Sequence, residues 1–421
     1  MNKSIIHLLK LLKTSNSPLE RSKQKTKFKH FLCRGVFFTY AFVFLISCSP
    51  KIVTENISIV KQTEDVLKSQ ILKEAAWALK QEPETVTASF SARSQGDKHD
   101  FYSEGDYWWP NPDDPNGAYI QKDGLTNPDN FTSHRFAMIR FSRIIGALAS
   151  AYKITGEEKY VEQAVLHLKA WFVNSATLMN PNLEYAQAIK GRFKGRGIGI
   201  IDTIHLLDVA QGTLVMSDKI NPTDLKAFKN WFSEYLNWLM TSKNGNDEMN
   251  AKNNHGTYFT LQIAGFAKFT GDRRLLDFCI DRYKTVLLPN QMAADGSFPL
   301  EMARTKPYGY SLFNLDAMTI LCQILSTSEN NLFEYVSKEG LSIKSGIQFM
   351  YPFIIDKSKW TLKPDVMYWN DWPVAQPALI FGANAYQNQD WFNTWKKLEH
   401  QSKVNEVIRN LPIKYPLLYM N

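Results

Sequence analysis

The chain has few cysteines and lacks the spacings that a bound metal or phosphate would require. Four of its 421 residues are Cys and eight are His, and no group of them has the close spacing of a zinc site. A glycine-rich loop of the kind that holds phosphates is also missing. Nothing in the sequence therefore calls for a metal, and we predict a protein that needs no cofactor.

An excess of charge of one sign is also missing once the first residues are set aside. The formal net charge is +8, but residues 1–47 carry nine Lys or Arg and one Glu, so 40 basic and 40 acidic residues remain. A chain without net charge has no general attraction for polyanions. We predict no nucleic-acid partner, and an anionic ligand would have to be attracted by a local cluster of cations.

No apolar run in the N-terminal region is long enough to span a bilayer comfortably as a helix. The run at residues 36–46 follows a basic stretch, which is the pattern of a signal peptide. Leu45-Ile46-Ser47-Cys48 resembles a bacterial lipobox, whose Cys becomes the lipidated first residue of the mature chain. We predict that residues 1–47 are a lipoprotein signal peptide and that a lipid anchor at Cys48 attaches the protein to the membrane. The predicted location is the periplasm or outer membrane of a Gram-negative bacterium. A single uncleaved membrane anchor is the alternative.

The rest of the chain has the apolar periodicity of helices. Residues 48–68 are predicted to be a tether, with a first helix as the alternative, and residues 69–421 are predicted to form one large domain. Thr155-Gly156 and Thr270-Gly271 are typical of helix ends. We predict an all-α fold whose helical hairpins close into an α/α toroid, or barrel, with an open helical solenoid as the alternative. Apolar residues recur at helical intervals in seven segments: 135–154, 157–174, 197–213, 222–241, 254–270, 272–288 and 312–326. The region after about residue 327 is less regular.

Two cysteines remain in this helical region if the leader is removed and Cys48 is lipidated. Cys279 and Cys322 each lie in an apolar helical pattern. Cysteines in such a pattern are usually buried, so we predict two free thiols rather than a disulfide.

Aromatic residues are abundant where the helical periodicity stops. The chain has 11 Trp and 18 Tyr, and residues 100–128 form a long loop that contains Trp108 and Trp109. Trp369 lies in a second aromatic segment. Because indole rings stack on sugar rings, we predict that these three Trp bind sugars, with ordinary packing as the alternative.

Four side chains suited to one reaction occur between residues 250 and 311. Asn254 and His255 lie at the predicted start of a helix, with Tyr258 one turn later, and Arg304 and Tyr310 follow. Hydrolysis of a glycosidic bond normally uses two carboxyl groups. Elimination beside a uronate instead needs donors to the substrate carboxylate, a base for the C5 proton and an acid for O4. The combination predicts β-elimination on an acidic polysaccharide.

The proton-transfer roles depend on the sugar. A tyrosine has an ordinary pKa of about 10, and we expect Arg304 and His255 to lower the pKa of Tyr310. Where H5 and O4 lie on one face of the ring, as in mannuronate and glucuronate, Tyr310 can act as base and then as acid. Where they lie on opposite faces, as in guluronate, two groups are needed and His255 becomes the base.

Several stretches resemble the alginate lyase superfamily, whose members have an α/α-toroid fold. The motif Lys252-Asn253-Asn254-His255-Gly256-Thr257-Tyr258 carries the resemblance together with four other segments: residues 179–183, 195–202, 295–304 and 310–315. Within the superfamily the chain is most similar to polysaccharide lyase family 38, which is related to family 5 and whose members cleave alginate or glucuronan. The motif-bearing core spans about residues 100–330.

This resemblance implies a role for each residue of the constellation. Asn254 and Arg304 correspond to neutralisers of the substrate carboxylate, His255 to a neutraliser or base, and Tyr310 to the base and acid. Gly256 stands where family 5 is expected to have Ser. The interval from Arg304 to Tyr310 is one residue shorter than the corresponding interval expected in family 5. Because of these departures, two substrate polymers are predicted as alternatives, alginate (polymannuronate) and glucuronan.

Further residues are predicted to contact the substrate. Gln187 and Arg196 flank a glycine-rich corner and are predicted to bind sugar hydroxyls or a second carboxylate, with hydrogen bonds to the loop backbone as the alternative. Tyr258 is predicted beside His255. Glu248 precedes His255 by seven residues and is a candidate for orienting it, with a helix-surface position as the alternative.

Two other functions compete with the lyase. A glycoside hydrolase on the same toroid would use a pair of carboxyl groups chosen from Asp202, Glu248, Glu301 and Asp371. A non-catalytic glycan-binding lipoprotein would keep the aromatic residues and would not need Tyr310.

Overall fold

Residues 57–420 are described in this computed structural model, and they are predominantly helical. The helices are α1 Ile59–Ala78, α2 Ser133–Thr155, α3 Lys159–Phe172, α4 Leu206–Val215, α5 Pro222–Thr241, α6 Lys243–Met249, α7 Asn254–Thr270, α8 Arg273–Arg282, α9 Leu288–Gln291, α10 Pro299–Met302, α11 Pro307–Leu325, α12 Ile343–Ile355, α13 Pro377–Tyr386, α14 Gln389–Lys397 and α15 Asn405–Arg409. The predicted signal peptide and the lipidation of Cys48 lie outside the described residues and stay predictions.

Four short strands occur in the loops. They are β1 Tyr102–Glu104, β2 Trp108–Trp109, β3 Ile120–Gln121 and β4 Tyr185–Ala188. β1 pairs in parallel with β4, and β2 pairs antiparallel with β3. These pairings give the long aromatic loop a defined shape and hold it against the segment that contains Gln187.

The helices form two layers, which is the predicted α/α toroid. In the inner layer α2, α4, α7, α11 and α13 pack against one another in chain order, and the turn Pro416–Tyr419 contacts α2, α4 and α13. Six helices pack on the outside, each against an inner helix: α1, α3, α5, α8, α12 and α14. Helix α3 also packs against α5. Inner helices such as α7 and α11 are buried almost all round, because they are covered on both faces. The all-α prediction is confirmed.

Several helix ends follow the predicted signals. Gly156 and Gly271 end α2 and α7 in the left-handed region, at φ 73° and 86°, where glycine has no Cβ to clash. Asn221 caps α5 through its side chain, with Pro222 in the first turn. Cys279 and Cys322 are buried free thiols, as predicted.

The predicted boundary between tether and domain at residue 68 is wrong, and the structure agrees with the alternative of a first helix before it. Helix α1 begins at Ile59, and one face of it is buried through Ile59, Thr63, Leu67 and Ile71. The four-residue spacing of these positions is helical, but Thr63 and the many charged neighbours lower the apolar density that the prediction relied on.

Three other segments also differ from their predictions. Residues 197–213 divide into a 3-10 helix, Gly197–Thr203, and α4, while residues 272–288 end in a π-helical turn, Tyr283–Leu287. The region after residue 327 contains four helices, α12 to α15. Pro352 inside α12 and the short length of α15 weaken the periodic signal there.

Among residues 57–420 no single helix is long and apolar enough to cross a membrane, although the bent pair of Gly197–Thr203 with α4 passes the same length and composition criteria.

The corrected start of the domain can be tested by a pair of substitutions in α1. Leu67 is 5% exposed, whereas the adjacent Lys68 is exposed. We expect Leu67→Ala to lower the free energy of unfolding by about 2–5 kcal/mol through lost burial and a cavity, measured by denaturant titration. Lys68→Ala is the control and should change it by less than about 0.5 kcal/mol. Equal, small effects would mean that this part of α1 is a tether after all.

Candidate active site

The start of α7 presents Asn254 and His255 at one end of the toroid. Asn253 is extended, at φ −113° and ψ −161°, and precedes the helix as its cap. Gly256 lies so close to the preceding loop that a Cβ there would be 2.2 Å from the carbonyl oxygen of Ala251. The glycine after His255 is therefore required by this backbone, and a serine at that position would force the loop to move.

Asn254 is held by a buried carboxylate. Its backbone N–H donates to Oε1 of Glu301 at 2.6 Å, and its side-chain amide donates to Oε2 at 2.7 Å. Glu301 lies on α10 and is 1% exposed. Burial raises the pKa of Glu301, although the two hydrogen bonds from Asn254 oppose this rise. These two hydrogen bonds fix the orientation of the Asn254 amide.

His255 is held by a second buried carboxylate. Its Nδ1 lies 2.7 Å from Oε1 of Glu248 on α6, and Glu248 is fully buried. A carboxylate only accepts hydrogen bonds, so Nδ1 donates in this pair and Nε2 is the ring nitrogen that faces away from Glu248. The contact agrees with the predicted orienting role of Glu248.

Arg304 and Tyr310 meet across the turn that begins α11. Nη2 of Arg304 lies 3.5 Å from the Tyr310 hydroxyl, and its guanidinium carbon lies 4.5 Å from the centre of the ring. Asp123, which the sequence did not suggest, accepts from Arg304 at 3.0 Å and from the hydroxyl of Thr305 at 2.9 Å. This turn therefore positions Arg304 between a carboxylate and the phenol.

The expected lowering of the Tyr310 pKa is wrong in direction for the ligand-free protein. Burial raises the pKa of Tyr310 well above its usual 10, and the nearby cations Lys306 and Arg304 oppose this only in part. Tyr107 also contributes, since its hydroxyl lies 2.7 Å from that of Tyr310. Tyr310 is therefore a neutral phenol at neutral pH.

A single cleft is lined by all four predicted catalytic residues, Asn254, His255, Arg304 and Tyr310. Three of the predicted substrate-binding residues, Trp108, Gln187 and Arg196, line the same cleft. Nε of Arg196 donates to the backbone oxygen of Gln187 at 2.9 Å, and Nη2 donates to its side chain at 3.3 Å. Burial lowers the pKa of Arg196 to about 10, so it remains a cation at neutral pH.

The other three predicted substrate contacts lie outside the cleft lining. Tyr258 is fully buried and donates to the backbone oxygen of Phe313 at 3.0 Å, so this structure makes it a core residue rather than a ligand contact. Trp109 donates to the backbone oxygen of Leu125 at 2.9 Å. Trp369 packs edge-on against Tyr308, with ring centres 5.4 Å apart.

A network of buried charges, partly in the lining of the cleft, joins distant parts of the chain. Asp106 accepts from Arg135 of α2 at 2.9 Å and from Arg409 of α15 at 2.6 Å. Glu406 links Arg409 to Lys306, at 3.3 and 2.8 Å. Arg135 also pairs with Asp202 at 3.3 Å. Sequence reasoning missed this network because its members are separated by up to about 300 residues and share no motif.

Comparison with known proteins identifies the family. Residues 85–360 match the family model described as alginate lyase. The chain belongs to the alginate lyase family. Among solved structures, an alginate lyase from Bacteroides ovatus is 30% identical, with a TM-score of 0.74 over 86% of this chain and 97% of that one. The enzyme is thus a polysaccharide lyase, as predicted.

More distant structures share the toroid fold of this family. Alginate lyase A1-III from Sphingomonas species A1 is 16% identical and covers 80% of this chain and 90% of its own, with a TM-score of 0.51. A histidine-to-alanine variant of A1-III complexed with a tetrasaccharide is 17% identical and covers 80% and 88%, with a TM-score of 0.54. A search of curated proteins finds no match. The closer assignment to family 38 stays a prediction.

The buried network should be essential for stability in this alginate lyase family member. Arg135→Ala removes the arginine partner of the buried Asp202 and one of the two arginine partners of Asp106, and we expect a loss of about 3–5 kcal/mol in the free energy of unfolding. Arg140 on the same helix is a matched control, because its ion pair with Glu84 is partly exposed and 3.9 Å long; Arg140→Ala should cost about 1 kcal/mol or less. Denaturant titration of both variants decides the matter, and equal losses would contradict the proposed importance of the network.

Proposed function

We propose that the protein cleaves alginate by β-elimination, using Asn254, His255, Arg304 and Tyr310. The observation that carries the proposal is that these four side chains, from three separate segments, line one cleft. Membership of the alginate lyase family and the similarity to the Bacteroides ovatus alginate lyase support alginate as the substrate. Glucuronan is the second candidate polymer from the sequence.

Carboxylate neutralisation is the first requirement of the reaction, because the C5 proton becomes acidic only when negative charge on the uronate is stabilised. Asn254 can donate the second hydrogen of its amide, since the first is bound to Glu301. Arg304 is 29% exposed at its side chain and adds a cation. Both groups are held in place before a ligand binds, so little reorganisation is needed.

Proton transfer is the second requirement. Tyr310 is protonated in the free enzyme and is suited to give its proton to O4 as the sugar leaves. For guluronate, Nε2 of His255 is the free base that takes the C5 proton from the opposite face. For mannuronate, Tyr310 takes the C5 proton itself and must first become a tyrosinate. The epimer therefore selects the base, while the acid stays the same.

Hydrolysis is less well supported, because the acidic residues of the cleft are engaged. Asp106, Asp123 and Asp202 are each paired with an arginine. Of the other hydrolase candidates, Glu248 and Glu301 hold His255 and Asn254, and Asp371 lies outside the cleft lining. A pair of free carboxyl groups for acid and base is therefore lacking among the described residues of this cleft. A purely glycan-binding protein would not require the pairing of His255 with Glu248.

The reaction can be tested by following the ultraviolet absorbance of the C4–C5 double bond that elimination creates. We expect the absorbance to rise with polymannuronate, polyguluronate or both. Tyr310→Phe should reduce the rate by about 10²–10⁴-fold on each active polymer, because it removes the acid. Glucuronan and a glycosaminoglycan are the comparison polymers. Release of reducing ends without the absorbance change would refute elimination in favour of hydrolysis.

The division of base roles predicts different responses to His255→Gln. The glutamine amide can still donate to Glu248 but cannot accept a proton, so polyguluronate cleavage should fall by about 10²–10⁴-fold and polymannuronate cleavage by less. Mannuronate cleavage by the native enzyme should keep rising as the pH increases above neutrality, since its base is a tyrosinate whose pKa burial raises. Equal losses on both polymers, or a mannuronate rate that levels off near neutral pH, would contradict this assignment.

A further inference from the structure

Beside the cleft, one turn of the chain carries exposed cations at alternate positions. Residues 189–194, here called the outer turn, include Lys190, Arg192 and Lys194, which are all exposed. Arg196 follows two residues later and lines the catalytic cleft. Basic side chains therefore continue from the cleft onto the adjoining surface, where the outer turn borders a second cavity.

The outer turn is held in a defined shape. Two backbone hydrogen bonds between Ile189 and Phe193, at 2.8 and 3.0 Å, close it. Gly191 has φ +74°, and a Cβ there would be 2.8 Å from the Cα of Ala118 in the aromatic loop. Nε of Arg192 donates to the backbone oxygen of Tyr119 at 2.9 Å. A ligand would therefore meet cations that are already positioned.

Trp108 connects the outer turn to the cleft. Its ring lines the cleft, and the guanidinium carbons of Arg192 and Arg196 lie 5.3 and 5.9 Å from the ring centre. Arg192 also lines the second cavity. The two cavities are thus neighbours across one tryptophan whose ring is flanked by two cations.

The charge of the second cavity suits an anionic chain. Two of its cations are already paired with carboxylates, Arg93 with Glu104 at 2.6 Å and Lys194 with Glu184 at 2.9 Å. Lys190 and Arg192 form no ion pair within residues 57–420, and Phe193 beside them is 55% exposed. Two unpaired cations with an exposed aromatic ring match a sugar ring that bears a carboxylate.

We propose that the outer turn is a binding site for uronate units of the polysaccharide remote from the bond that is cleaved. Lys190 and Arg192 would contact carboxylates of the same chain whose scissile unit lies at Tyr310, and Trp108 would separate the two regions. The identity of the ligand rests on the proposed function. A consequence is that the enzyme binds long substrates more tightly than short ones, which do not reach the outer turn.

The test compares substrates of different length in the double variant Lys190→Ala/Arg192→Ala. For hexasaccharide and polymer of the active uronate we expect KM to rise about fivefold to tenfold, since two exposed ion pairs are lost, with kcat unchanged. For the trisaccharide neither constant should change. Added salt should raise KM for the polymer more in the native enzyme than in the double variant.

Arg274→Ala is the matched control. Arg274 is 87% exposed at its side chain and lies at the start of α8, beyond the end of α7 opposite Asn254, about 25 Å away by the length of a 17-residue helix. This control should behave as the native enzyme at every substrate length. Equal losses at all lengths, or no loss at any length, would overturn the proposal.

A binding measurement separates this proposal from the proposed function. Calorimetric titration of the uronate hexasaccharide into the Tyr310→Phe variant, with and without Lys190→Ala/Arg192→Ala, does not depend on turnover. Weaker binding only in the triple variant supports the outer site even if elimination is not observed. Unchanged hexasaccharide affinity refutes the outer site even if elimination is confirmed.

Discussion

Two buried carboxylates determine the geometry of the cleft, because each holds one of two neighbouring residues at the start of α7. Glu301 accepts hydrogen bonds from both the backbone and the side-chain N–H of Asn254, and Glu248 accepts a hydrogen bond from Nδ1 of His255. A buried carboxylate is costly unless hydrogen bonds satisfy it, so these pairings stabilise the packing of α6, α7 and α10 and orient the reactive groups together. The site and the local fold consequently depend on the same contacts.

The cleft is cationic although the chain after residue 47 has no net charge. Four arginines line it, Arg135, Arg196, Arg304 and Arg409, and two of them, Arg135 and Arg409, are neutralised by buried aspartates. Those that keep exposed donors, chiefly Arg304, give the cleft its local attraction for carboxylates. Charge in this protein therefore acts through position rather than through composition.

Local signals predicted much of the fold and part of the site. The Thr-Gly pairs at 155–156 and 270–271 marked helix ends, and the Asn-His pair was placed correctly at a helix start. The signal failed where periodicity was diluted, as in the polar first half of α1 and the short helices after residue 327. It also failed for Tyr258, because a position one turn from His255 on a doubly covered helix faces the core.

The sequence alone determined the helical architecture, the family and the four residues expected to perform the chemistry, since these depend on periodicity and on motifs whose members are close along the chain. Tertiary structure decided what surrounds them: Asp123 beside Arg304, Tyr107 beside Tyr310, and Arg409 beside Asp106 in the cleft lining. It also reversed the expected shift of the Tyr310 pKa, because the balance between burial and nearby cations depends on packing. Such contacts join residues far apart in the chain, and no local pattern records them.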